Sequence, residues 1–150
     1  MQSCCFIGHK NCPLEIENKL LFAIEKLIIN EQVRTFYVGT HGDFDRITYK
    51  VLEKLEKKHN IQIFVVLAYL RKENYPYYNI KKTIFPDVLT KTPLKFAIRK
   101  RNSFMIDHSK FVVSYLENSL SNTYTFVEEA LKKKKQIINL GTYDISQIIF

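Results

Sequence analysis

Residues Ile61 to Ala68, IQIFVVLA, form a nearly unbroken apolar run. The run is too short to span a membrane and has no polar side to turn toward water. A strand covered on both faces, as in a parallel sheet, suits it best. Parallel neighbours require long crossovers, usually helices, and the rest of the chain supplies both. Ser3 to Ile7, Arg34 to Val38, Phe111 to Leu116 and Gln136 to Leu140 read as further strands. Pro13 suits a first helical turn, after which Ile16, Leu20, Ile24, Leu27 and Ile28 recur at helical spacing. Phe44, Ile47, Val51, Leu52 and Leu55 mark a second helix, with Asp43 or Asp45 at its start and Lys57, Lys58 and His59 at its end. Thr92-Pro93 opens a third helix with Leu94, Ala97, Ile98 and Met105 on one face, and Ser121 to Lys134 makes a fourth. Tyr69 to Lys91 lacks a clean period and reads as a long loop with one helical turn. Ile145 to Phe150 reads as a short edge strand or a docking tail.

Strands alternating with helices imply an α/β fold with a central, mostly parallel sheet of five or six strands and right-handed crossovers. No repeat, linker or change of composition divides residues 1–150, so one domain is expected. Ligands of such sheets bind beyond the carboxyl ends of the strands, where the strand order reverses. Three turns leave strands at that edge. Gly8, His9 and Lys10 combine a backbone that permits close approach with side chains able to meet phosphate. Gly39, Thr40, His41, Gly42 and Asp43 precede a helix start, where free N–H groups and the positive dipole end favour anions. Ser121, Asn122 and Thr123 repeat that arrangement with hydroxyls added. Each turn alone reads first as a capped helix or a tight turn, and His41 equally as a solvated loop residue. Their convergence at one sheet edge favours binding.

The net charge of +8 suggests a polyanionic partner, although a lysine-rich composition explains the same excess. Lys132 to Lys135 sits between a helix and a strand and reads as a solvated helix end. The basic residues are dispersed, with no helical basic stripe, so nucleic acid is not the expected partner. Cys4, Cys5 and Cys12 lack the number and spacing for a disulfide framework or a metal site, and they fit small hydrophobes in a reducing compartment. No metal or cofactor is expected. No leader pattern or membrane-length apolar run is present, which points to a cytoplasmic protein without a membrane partner. Tyr69, Tyr75, Tyr77 and Tyr78, with Arg71 and Lys72, make an aromatic-basic loop that suits base stacking, with Tyr69 and Tyr75 the first candidates, as well as it suits plain packing.

Three segments resemble one family. Cys4-Cys5-Phe6-Ile7-Gly8-His9-Lys10 is similar to the opening strand and T-G-H-R turn of YpsA-like proteins in the SLOG (Smf/DprA–LOG) superfamily of Rossmann-like nucleotide binders. Arg99 to Lys110 resembles that family's RN-x-x-M-(I/V)-D-x-S-D run. Ser121 to Thr125, then Ala130 and Ile137-Ile138-Asn139-Leu140, resembles its S-G-T-x-x-A…K-x-I-I-N ending. The resemblance implies a three-layer Rossmann-like α/β/α fold and a nucleotide-derived ligand such as an adenine nucleotide, ADP-ribose or a cyclic NAD-derived signal. It further implies a homodimer or higher homo-oligomer and a role as sensor or sequestering protein in bacterial or phage defence.

The LOG branch of the superfamily hydrolyses nucleoside 5′-monophosphates, with signatures R-K-x-x-M and P-G-G-x-G-T-x-x-E. Here Arg101 and Met105 match the first, and Thr125 to Glu128 match T-x-x-E. The resemblance implies catalytic roles for Glu128 and for Arg101, which with Asn102 faces the phosphate. Asn102 stands where a second basic residue is expected, and Leu120 to Tyr124 replaces P-G-G-x-G. Tyr124 in place of the last glycine is expected to obstruct backbone approach to a phosphate. Binding without turnover is therefore the first reading and hydrolysis through Glu128 the second. Single-stranded DNA binding is the weakest.

Overall fold

The computed structural model describes residues 2–70 and 77–149. Six strands, β1 (Gln2–Gly8), β2 (Val33–Val38), β3 (Gln62–Val66), β4 (Thr83–Ile84), β5 (Phe111–Tyr115) and β6 (Gln136–Asn139), form one sheet in the order β4-β3-β2-β1-β5-β6. Every adjacent pair is parallel. Four α-helices among the described residues, α1 (Ile16–Glu31), α2 (Asp43–Glu56), α3 (Ala97–Asp107) and α4 (Asn122–Lys132), lie in the connections from β1 to β2, β2 to β3, β4 to β5 and β5 to β6. The arrangement is a Rossmann-like α/β/α fold.

The period of two along β1 explains its continuous apolar sequence. Cys4 and Phe6 enter one core with Leu20, Ile24 and Leu52 from α1 and α2. Cys5 and Ile7 enter the other with Met105, Ile106, Phe126 and Ala130 from α3 and α4. A strand between two helical layers has no solvent side, so no polar alternation develops. β5 behaves likewise, with Val113 in the first core and Val112 in the second.

The segment read as a long loop holds more structure than expected. Ile80–Lys82 and Asp87–Lys91 are 3-10 turns, and Thr83–Ile84 is a two-residue edge strand hydrogen-bonded to β3. The third helix also begins later than Thr92-Pro93 suggested. Leu94–Phe96 is a 3-10 turn leading into α3, and the Thr92 hydroxyl donates to the Val88 carbonyl at 2.7 Å instead of capping. The C-terminal segment is the docking tail rather than an edge strand. Ile145–Gln147 is a 3-10 turn, and Ile148 is buried against Leu116 and Val127. No helix among the described residues is long and apolar enough to cross a membrane.

Asn139 ties the ends of β5 and β6 to that tail. Its Oδ1 accepts from Ser114 Oγ at 3.1 Å, Leu116 N at 2.9 Å and Gly141 N at 3.1 Å. Its Nδ2 donates to the carbonyls of Leu116 at 3.2 Å and Tyr143 at 2.8 Å. A Cβ on Gly141 would come within 2.3 Å of the Leu116 carbonyl oxygen, so glycine is required where the chain turns past β5. Asn139→Ala strands several partly buried polar groups, each worth about 1 kcal/mol or more. Urea unfolding is expected to show a loss of about 3 kcal/mol. A loss within about 0.5 kcal/mol, the scale of an ordinary surface substitution, would refute the hub.

Candidate functional site

Crossovers run to one side of β1 through β2 and β3 and to the other through β5 and β6, so the order reverses between β1 and β5. Their register pairs Gly8 with Tyr115 and brings the following turns together. The His9 N–H donates to the Tyr115 carbonyl at 3.3 Å. His9 Nε2 in turn accepts the Glu117 N–H at 2.8 Å, with the imidazole edge-on to the Tyr115 ring at 5.6 Å between centroids. An accepting Nε2 places the proton on Nδ1. Burial lowers the His9 pKa below its ordinary value, against a smaller opposing pull from Glu117, so the ring is neutral at pH 7. The Glu117 carboxylate binds the Thr142 hydroxyl and N–H, which fixes the strand-end turn from the far side.

A cleft of about 590 Å³ opens at this switch point, within the range of small-molecule sites. Gly8, His9 and Lys10 line it from β1 and its turn, and His41 and Asp45 from the start of α2. Lys95, Phe96, Arg99, Arg101 and Asn102 line it from α3 and its lead-in. Ser121, Asn122, Thr123 and Thr125 line it from the start of α4. Ser121 caps that helix by accepting the Tyr124 N–H. Four basic side chains, Lys10, Lys95, Arg99 and Arg101, stand against one carboxyl, Asp45. The cleft is cationic and rich in donors.

The floor is built on a buried pair of opposite charges. Arg101 is 1% exposed, donates Nη1 to the Val66 carbonyl at 3.0 Å and approaches Thr40 Oγ1 at 3.5 Å. Its Nε donates to Asn102 Oδ1 at 2.8 Å. Asp45 Oδ2 accepts the His41 N–H at 2.9 Å. Burial pushes the Asp45 carboxyl up to about 6 despite the opposing pull of Arg101 and the His41 hydrogen bond. A Cβ on Gly39 would meet Asp45 Oδ2 at 2.8 Å and Arg101 Cζ at 2.9 Å. Gly39 is thus glycine because these two groups occupy its side-chain space. Gly8 follows the same logic, since a Cβ there would lie 2.3 Å from the Phe44 ring.

The structure therefore gathers Gly8, His9, Lys10, His41, Arg101, Asn102, Ser121, Asn122 and Thr123 around one cleft. Gly39, Thr40, Gly42 and Asp43 lie behind its lining. Gly42, at φ +97°, packs on the Lys10 backbone, and the Asp43 N–H donates to the Lys10 carbonyl at 2.6 Å. Glu128 is outside the lining and stands 3.8 Å from Lys132, one turn along α4. Tyr124, expected to obstruct the helix start, turns edge-on to Tyr143 at 5.9 Å and leaves the lining to Thr123 and Thr125. Tyr69 packs against the small cluster of Ala68, Leu89 and Ala97, and Tyr75 lies outside the described residues. Asp45, Lys95, Phe96 and Arg99 are cleft residues that sequence reasoning did not select. Arg99 lay inside a quoted motif, whereas Lys95 and Phe96 carried no periodic signal.

The raised Asp45 pKa makes a signed prediction. Between its ordinary value of 3.8 and about 6 the folded state holds the proton that the unfolded chain releases. Stability therefore falls as pH rises through that window. Relative to Asp45→Asn, which still accepts from His41, the parent is expected to lose about 2 kcal/mol between pH 4 and pH 7, at about 1.4 kcal/mol for each tenfold difference in proton affinity between the folded and unfolded chain. Urea unfolding of both proteins across that range measures the difference, and parallel pH profiles would refute it.

No family model matches the chain, and no curated protein matches it. Among solved structures, the X-ray structure of DNA processing protein A (DprA) from Streptococcus pneumoniae is similar, with a TM-score of 0.69 and 14% sequence identity. The likeness covers 93% of this chain and 50% of that one, so the chain spans about half the length of that protein. At this identity the likeness establishes the fold: the chain shares the Rossmann-like α/β architecture of DprA.

Proposed function

We propose that the chain binds a nucleotide or nucleotide-derived ligand in the cleft between β1 and β5, with the phosphate toward Lys10 and the start of α4. The convergence of Lys10, Lys95 and Arg99 with the capped N-terminus of an 11-residue helix at the switch point carries this reading. The neutral His9 adds a directed Nδ1–H donor. The motif resemblance to SLOG proteins points the same way and suggests a homo-oligomeric cytoplasmic sensor or sequestering protein for an adenine nucleotide, ADP-ribose or a cyclic NAD-derived signal. Arg101 serves the site by holding its floor, since its Nη1 is committed to Val66.

Hydrolysis at the glycosidic bond is the less supported reading. It needs a carboxylate at the sugar, and Glu128 stands outside the lining beside Lys132. Single-stranded DNA would need a basic track continuing beyond the cleft.

Isothermal titration with AMP, ADP-ribose and a single-stranded oligonucleotide tests these readings together. Lys10→Ala and Arg99→Ala are each expected to weaken the bound nucleotide by about 1.5–3 kcal/mol, the scale of a charged hydrogen bond. Glu128→Gln should leave affinity unchanged, and AMP should release no free base over hours. Tight binding of the oligonucleotide alone would transfer the function to DNA. Base release abolished by Glu128→Gln would establish the hydrolase.

A further inference from the structure

Of the exposed large apolar side chains among the described residues, Phe96 is the one that lines the cleft. It is 46% exposed and belongs to none of the apolar core clusters of the described residues. Its neighbour Ala97 is 1% exposed and anchors the start of α3, so the backbone at this point is seated while the ring is left at the surface. The 3-10 turn Leu94–Phe96 holds that backbone through the Phe96 N–H, which donates to the Pro93 carbonyl at 2.9 Å. Lys95 Nζ lies 5.1 Å from the Phe96 ring centroid, a cation–π distance that orders the ring without burying it. The ring forms part of the wall of a cleft whose other walls carry Lys10, Arg99 and the start of α4.

We propose that Phe96 is the stacking platform for an aromatic base, so that the cleft selects a base-bearing nucleotide over a sugar phosphate or inorganic phosphate. This rests on the nucleotide reading above and deepens it. An exposed apolar ring beside cationic and hydrogen-bonding walls matches the two halves of a nucleotide, a flat π-face and an anion. Stacking tolerates any base because it reads the face and not the edge. Among the described residues, the tyrosines singled out in the sequence lie outside the lining: Tyr69 packs on Ala68 and Leu89, Tyr78 stands 4.9 Å from Tyr49 between ring centroids, and the Tyr77 ring faces Arg46 at 5.6 Å.

The chain contains no tryptophan, so Phe96→Trp introduces a single indole at the proposed platform. Calorimetry with AMP and ribose 5-phosphate on the parent, Phe96→Ala and Phe96→Trp proteins separates base from phosphate recognition. The parent is expected to bind AMP at least about tenfold tighter than ribose 5-phosphate, and Phe96→Ala to remove that advantage while ribose 5-phosphate stays within about twofold. Phe96→Trp should retain AMP affinity, and its indole emission should be quenched on saturation with AMP and not with ribose 5-phosphate. Equal affinity of the parent for both probes overturns the platform and leaves phosphate recognition standing. So does an equal loss for both probes in Phe96→Ala, or an indole emission that ignores saturating AMP. Failure of the parent to bind either probe overturns the nucleotide reading itself, and the platform with it.

Discussion

Strand β1 is hydrogen-bonded along both edges and covered by helices on both faces, and every feature of the cleft hangs on that placement. Its pairing with β5 sets Gly8 opposite Tyr115. That register delivers the His9 turn and the Glu117 turn to the same point, where the imidazole of one accepts the N–H of the other. Its pairing with β2 brings the Gly39–Gly42 turn beside Lys10, whose carbonyl receives the Asp43 N–H and joins the start of α2 to the end of β1. A slip of one residue along β1 would exchange Cys4 and Phe6 with Cys5 and Ile7 between the two cores. It would also separate both contacts.

The site is electrostatically layered. Arg101 and Asp45 lie at the bottom, both buried, and Gly39 lacks a side chain so that they fit. Burying a carboxyl beside a guanidinium leaves Asp45 with a raised pKa, which means that desolvation outweighs the attraction. The upper layer is exposed and basic, with Lys10 and Arg99 able to follow an anion and Lys95 against the Phe96 ring. The lower layer sets the shape of the cleft and the upper one its affinity. A substitution in the first is expected to read out as stability and one in the second as binding.

The layered sheet was legible in the sequence because both of its signals are local. A strand buried on both faces is a continuous apolar run, and a crossover helix shows its period over three or four turns. β4 escaped because two residues cannot display a period, and Thr83 and Ile84 become a strand only through their bonds to β3. The lead-in to α3 escaped because a 3-10 turn has no apolar stripe, and Lys95 and Phe96 went unread with it. Asp45 looked like a dipole partner at a helix start, and only tertiary packing against Arg101 makes it a buried acid. Gly8 and Gly39 drew notice as glycines, but the space they vacate is taken by Phe44 and by the Asp45–Arg101 pair. The Asn139 of the I-I-N motif was visible as a residue, whereas its bonds to Ser114, Leu116, Gly141 and Tyr143 could come only from the fold.

The central claim is that one ligand bridges the end of β1 and the start of α4. Backbone amide NMR of the uniformly labelled protein during titration with AMP tests it most directly, because the contacts are main-chain N–H groups as much as side chains. The account predicts saturable shifts concentrated at Gly8, His9, Lys10 and Ser121 to Thr125, with smaller ones at Phe96 and Arg99. Shifts centred on the opposite end of the sheet, or on α1 and β6 with the β1 and α4 turns unmoved, would contradict it.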